Sequence, residues 1–226
     1  LKDAVEGARL LCLSSLSWNY GTQLRVEEAV EAAHNAGAKV LVDAVQSPGQ
    51  VPVDVTEWGA DFVAASGHKW LLGVWGSGFL YVDSDALDAL EPERIGYFSL
   101  DGMPEGDDYT YAPGAERLEL GTTDYGPYVG LAESIDIVES IGMRTIQSRI
   151  ERLTDRLKEG LGERLLSPEA YESGLVTFAA DDPAETVERL AEEDIQIRSV
   201  PEPHACRVSV HAFNTAEDVD RLLDAL

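Results

Sequence analysis

The stretch "DFVAASGHKWLLGVWGSGFLYV", residues 61–82, decides how the rest of the chain is read. An apolar run ends in Ser66-Gly67-His68-Lys69, glycines follow at 73, 76 and 78, and a second apolar run, "SGFLYV", closes the segment. Apolar runs bounded by glycine and serine read as two strands joined by a tight, glycine-dependent turn. Lysine is scarce in this protein, occurring only at positions 2, 39, 69 and 158. A solvated lysine needs no place between a histidine and a tryptophan at a strand end. A lysine that must shed its proton and attack a carbonyl needs such a place, because desolvation disfavours the ammonium form. The glycines do not form a phosphate-binding P-loop, since no Gly-Lys-Ser/Thr ending occurs and a strand, not a helix, follows.

Outward from this segment the pattern alternates. "ARLLCLSS" predicts a buried strand, "VEEAVEAAHNAG" an amphipathic helix closed by Gly37, and "AKVLVDA" a short strand ending in an acid. Strands alternating with helices place the chain in the α/β class with a mostly parallel sheet. In such sheets ligands bind outside the carboxyl ends of the strands, so Asp43 and Ser66 are expected to face one crevice. From Asp83 to Glu119 the periodicity dissolves into a long Asp-, Pro- and Gly-rich loop. Two helices follow, the second long enough to join two lobes. "GLVTFAA", "AETVERLAEED", "IQIRSV", "CRVSVHAF" and "AEDVDRLLDAL" then predict a smaller α/β unit. The division expected is a large-domain portion over 1–144 and a small C-terminal domain over 145–226.

Composition narrows the partners. The chain carries 42 acidic and 17 basic side chains, a net charge of -25. That field repels nucleic acid and anionic membranes. No apolar run reaches the roughly 18 residues of a membrane helix, and the first residues do not read as a leader, so a soluble cytoplasmic protein is expected. The acid-rich, lysine-poor balance resembles that of salt-adapted proteins, where dense salt screens mutual repulsion. Cys12 and Cys206 show no metal-ligand spacing, so no metal is expected. Cys12, inside "RLLCLSSL", is expected to be a small buried hydrophobe.

An aldehyde-bearing cofactor with a pyridine ring and a phosphate needs a lysine for a Schiff base and an acid to keep its ring nitrogen protonated. It also needs donors for the phosphate. The chain offers Asp43, Gln46, Ser66, His68 and Lys69 in order. Taken singly, each has a plain structural reading as a cap, turn or surface residue.

Together, residues 40–82, "VLVDAVQSPGQVPVDVTEWGADFVAASGHKWLLGVWGSGFLYV", closely resemble the signature of class V aminotransferases. These are fold-type I pyridoxal phosphate enzymes that include cysteine desulfurases, selenocysteine lyases and isopenicillin N epimerase-like proteins. "SLSWNYGTQLRVEEAVEAAHNAGA", "ERLELGTTDYGPYVGLAESIDIVESIG" and "CRVSVHAFNTAEDVDRLLDAL" resemble the family's flanking and terminal segments. The resemblance implies the pyridoxal phosphate transferase fold and pyridoxal 5'-phosphate as cofactor. It implies Lys69 as the Schiff-base lysine, Asp43 on the pyridinium nitrogen, Gln46 on the phenolic oxygen, and Ser66 and His68 on the phosphate. Thr122 would reach the phosphate of a neighbouring subunit in a homodimer. Arg207 would grip the carboxylate of an amino acid substrate, with Arg198 as second choice.

Two departures shape the functional expectation. The stretch Ile197 to Arg207, "IRSVPEPHACR", is too short for the desulfurases' mobile cysteine loop, and strand alternation turns Cys206 away from Arg207. Transamination or epimerisation is therefore expected over desulfuration. The chain also begins later than the family pattern and reads as a fragment. A non-catalytic pseudo-enzyme or partner subunit stands as one alternative, a cysteine desulfurase or selenocysteine lyase as another.

Overall fold

The computed structural model describes residues 1–226, the side chain of Lys2 excepted. A short helix α1 (Lys2–Val5) leads into β1 (Leu10–Ser14), α2 (Val26–Asn35), β2 (Lys39–Asp43), α3 (Val55–Trp58), β3 (Phe62–Ser66) and β4 (Gly78–Val82). The sheet runs β1-β2-β3-β4, the first three strands parallel and β4 antiparallel to β3. Helix α2 buries Val26, Ala29, Val30 and Ala33, spaced to share one face, against Val40, Val42 and Val63 of the sheet. Its chain reversal uses Gly37 at φ 81, in the left-handed region that suits glycine.

β1 differs from expectation. It is an edge strand with one face open: Leu10 is 47% exposed and Cys12 is exposed, not buried. No helix among the described residues covers that face, so an apolar run that reads as a doubly covered strand is covered on one side.

The long loop after β4 contains one helical turn, α4 (Ser84–Leu87), and a 3-10 turn at Ala115–Leu118 that the sequence pattern does not signal. α5 (Gly126–Ile141) and α6 (Met143–Leu161) follow. α6 buries Ile146, Ile150, Leu153, Leu157 and Leu161 along one stripe. It ends against a second sheet of β5 (Leu175–Phe178), β6 (Arg198–Val200) and β7 (Ala205–Ser209), ordered β5-β7-β6 and antiparallel. α7 (Pro183–Glu192) and α8 (Ala216–Ala225) complete this layer. Asp182 caps α7 through the amides of Ala184 and Glu185, and Thr215 with Asp218 forms a capping box on α8.

A small cluster of Leu16, Val51, Trp70 and Leu175 joins the two sheets. Trp70 adjoins Lys69 and Leu175 opens β5, so the contact between sheets is made at the lysine itself. No helix among the described residues is long and apolar enough to cross a membrane.

Candidate active site

β2 and β3 end at Asp43 and Ser66, and the chain then enters the turn carrying Lys69. Hydrogen bonds pin this turn: the Gly67 amide to Ser77 O at 3.0 Å, Leu72 to Lys69 O at 3.0 Å, and Gly73 to Gly67 O at 2.8 Å. Only glycine fits at 73, where a Cβ would sit 2.8 Å from Gly67 O. Leu72 takes φ 59, a left-handed conformation that costs a leucine roughly 1–2 kcal/mol.

A cavity of about 440 Å³ opens beside this turn. Its charged lining is Asp43, Lys69, Arg198 and Arg207; Gln46, Trp18, Trp70, Ser209 and His211 add polar edges. Asp43 Oδ1 accepts from the Val45 amide at 2.9 Å, holding the carboxylate at the strand end. Trp70 Nε1 donates to Gln46 Oε1 at 2.9 Å, which leaves the Gln46 NH₂ group as the available donor. Burial pushes the Lys69 ammonium below its ordinary value; Asp43 opposes that shift, and the charges of Arg207 and Arg198 add to it.

β7 supplies the opposite wall. Arg207 lines the cavity, and Ser209 and His211 follow at the same two-residue period. Cys206, Val208 and Val210 face the other way, into the core formed with Leu157, Phe178 and Leu190. Arg207 Nη1 donates to Trp18 O at 2.7 Å, and its guanidinium carbon lies 5.8 Å from the centre of the Trp18 ring. Its Nε is buried without a partner. Burial and the nearby Arg198 charge both work against the charged form of Arg207. An anionic ligand would relieve both effects.

The sequence-derived candidates thus divide in space. Asp43, Gln46, Lys69, Arg198 and Arg207 share the cavity. Ser66 and His68 are not part of its lining, which corrects the expectation that Ser66 shares one crevice with Asp43: the backbone beside Ser66 is tied to Ser77 through the Gly67 amide, and His68 turns toward Trp75. Ser66 Oγ and His68 Nδ1 are instead buried and unpartnered, and the His68 ring stacks on Trp75 with centroids 4.2 Å apart. Thr122 is exposed and lies outside the cavity. The donor set suits pyridoxal phosphate: buried atoms without partners at Ser66 and His68 suit an anion, the Asp43 carboxylate suits a protonated ring nitrogen, and the Gln46 NH₂ suits a phenolate.

Trp18, Trp70 and His211 were not singled out in the sequence. His211 carried a signal, since it lies four residues beyond Arg207 and so shares its strand face. Its Nδ1 accepts from the Ala212 amide at 2.7 Å and its Nε2 lies 3.0 Å from Trp70 O. An imidazole that accepts at Nδ1 must donate at Nε2, so the neutral tautomer is fixed. The ring is stacked against Trp70 and Phe213.

With that geometry established, comparison with known proteins is decisive. The family model for aminotransferase class V matches residues 2–222. The chain belongs to the class V aminotransferase family. This class V chain is 33% identical to isopenicillin N epimerase of Streptomyces clavuligerus, over 96% of its own length and 59% of the epimerase. Apo cysteine desulfurase from Thermococcus onnurineus NA1 superposes with a TM-score of 0.89 at 31% identity, covering 99% of this chain and 60% of that one. A mutant of C-DES with glycine covalently linked to its pyridoxal phosphate cofactor gives a TM-score of 0.89 at 30% identity, covering 96% and 59%. Other curated relatives are mostly named cysteine desulfurases or probable ones. The class V chain therefore spans about three-fifths of the length of the epimerase, the Thermococcus desulfurase and C-DES. Their names give transamination or epimerisation no preference over desulfuration, which corrects that expectation.

Proposed function

We propose that the chain forms the cofactor- and substrate-holding part of a pyridoxal 5'-phosphate enzyme acting on an α-amino acid. The observation that carries this reading is the convergence of Asp43, Gln46, Lys69 and Arg207 on one cavity, with Ser66 Oγ and His68 Nδ1 buried and unpartnered in the segment that leads into Lys69. When bound, pyridoxal phosphate supplies an aldehyde that condenses with amines and a ring that draws electrons from the α-carbon.

The residues of the chain do the rest. Lys69 Nζ offers a partly desolvated amine as the covalent anchor and afterwards takes the α-proton. Asp43 would hold a proton on the ring nitrogen, and Gln46 would donate to the phenolic oxygen. Ser66 and His68 would donate to the phosphate. The fork of Arg207 grips the α-carboxylate in bidentate fashion, which orients the α-hydrogen. Thr122 serves the phosphate of a second copy in a homodimer.

The family likeness leaves sulfur removal open as the reaction, yet Cys206 has no part in it. Its thiol is buried in the small-sheet core 3.6 Å from Pro183 O, and burial pushes its pKa up to about 11. A group held there as neutral thiol is a poor nucleophile.

The test is spectroscopic. Adding pyridoxal phosphate to the protein is expected to raise a visible absorbance band that Lys69→Ala abolishes, and an amino acid is expected to shift it. Arg207→Gln should weaken that amino acid response by about 2–5 kcal/mol, the usual effect of removing one partner of a buried charge pair. A band that forms equally well in Lys69→Ala would refute the assignment.

A further inference from the structure

We propose that Gln50 is a positioning residue for the cofactor: it links the small sheet to Gln46 and sets how Gln46 meets the phenolic oxygen. This rests on the reading of the cavity as a pyridoxal phosphate site, and it adds a residue that lies outside the cavity.

Gln50 is fully buried and does not line the cavity. A buried primary amide is costly unless it is hydrogen-bonded, and a methionine would fill a similar volume without that cost. Both ends of this amide are engaged. The Gly174 amide donates to Gln50 Oε1 at 2.7 Å, and Gln50 Nε2 donates to Gln46 O at 2.5 Å. A backbone N–H only donates and a backbone oxygen only accepts, so the orientation of the Gln50 amide is fixed. Gly174 lies 124 positions from Gln50 in the chain and leads directly into β5. Gln50 therefore ties the start of the small sheet to the main chain of Gln46. Trp70 Nε1 holds the side chain of the same residue at 2.9 Å. Trp70 is fixed in turn, since its carbonyl accepts from His211 Nε2 at 3.0 Å. The packing leaves this joint little play. A Cβ at Gly49 would sit 2.2 Å from Trp70 O, and one at Gly174 would sit 2.3 Å from Val210 O and 2.8 Å from Trp70 Cη2. Gln46 is thus held at its backbone by Gln50 and at its side chain by Trp70, and both holders bear on the sheet that carries Arg207. A shift of that sheet reaches the Gln46 NH₂ group through these two contacts.

The test separates positioning from packing. In protein loaded with pyridoxal phosphate, the visible band is titrated with pH in four forms: wild type, Gln46→Leu, Gln50→Met and the double variant. Asp43, Lys69, Arg198 and Arg207, the charged groups lining the cavity, are the same in all four. Losing the Gln46 donor leaves more negative charge on the phenolic oxygen, which favours the proton on the Lys69 nitrogen beside it. Gln46→Leu is therefore expected to raise the midpoint by about half to one pH unit, the scale of one neutral hydrogen bond. Gln50→Met should raise it too, and should add nothing in the Gln46→Leu background. An unchanged midpoint in Gln50→Met overturns the proposal. So do shifts that add in the double variant, because a residue that only packs has no reason to act through Gln46. If Gln50→Met does not fold, hydrogen exchange in the wild type decides. Pyridoxal phosphate should slow exchange of the Gly174 amide by about fivefold or more, the low end of coupling between two sites, and its analogue without the phenolic oxygen should not. Equal protection by both, or by neither, overturns the proposal. A wild-type protein with no visible band would refute the cofactor reading and this inference with it; a band whose midpoint ignores Gln50 refutes the inference alone.

Discussion

Lys69 is tuned by its surroundings in opposing directions, and single substitutions should separate them. Burial is the largest influence and lowers its pKa, Asp43 raises it, and Arg207 and Arg198 lower it. Asp43→Asn should therefore lower the pKa of Lys69 further, and Arg207→Gln should raise it. The pH profile of Lys69 acylation in the apo protein, followed by mass spectrometry, reads both; shifts in the same direction would contradict this balance. The two thiols give a second residue-scale expectation. Cys12 is exposed and Cys206 buried with its pKa raised, so one thiol per chain should react in the native protein and the second only in denaturant. Sequence made Cys206 legible because strand alternation separates it from Arg207. It misplaced Cys12, because an apolar run does not reveal whether a layer covers both of its faces.

Among the elements, β7 and the Lys69 turn are locked together by His211. Burial holds His211 below the usual histidine value, with its bond to Trp70 O working the other way. The unfolded chain therefore takes up the proton first. The stabilising effect is complete above the ordinary histidine pKa of about 6.5 and is lost as pH falls through it. Urea unfolding at neutral and mildly acidic pH should show a loss of stability that His211→Gln removes. The Asp61 carboxylate acts in a separate, lower window. Burial would raise its pKa, yet hydrogen bonds from Lys39 at 2.7 Å and His34 at 2.8 Å hold it low, so its contribution fades only toward pH 4 and below. The strands and helices themselves were legible from period and caps: Asp43 at the end of "VLVDA" and the glycine turn after Lys69 follow directly from the pattern. The joining of the two sheets through Trp70, Leu175 and His211 was not, because contacts between residues more than a hundred positions apart leave no local periodicity.

For the molecule as a whole, exposed apolar side chains gather on one stretch: Leu120, Tyr125, Tyr128 and Val129, the last 64% exposed. They flank Thr122, the residue proposed to serve a second copy. Exposed apolar side chains concentrated in one segment suit association. Light scattering is expected to give a dimer mass, and Val129→Asp to shift it toward the monomer. A monomer at micromolar concentration would remove the proposed role of Thr122. At this scale the sequence showed the α/β class and the family likeness, while the distribution of charge, acidic overall and cationic in one cavity, needed the fold to bring Lys69, Arg198 and Arg207 together.

The measurement that bears most directly on the central claim is chemical trapping of the cofactor. The protein is incubated with pyridoxal phosphate, reduced with borohydride, digested and mapped. A stable pyridoxyl group is expected on the peptide containing Ser66 to Lys69, at Lys69 itself, with stoichiometry approaching one per chain. A label on Lys39 or Lys158, or an even spread over the lysines, would contradict Lys69 as the covalent anchor and with it the assignment of the whole site.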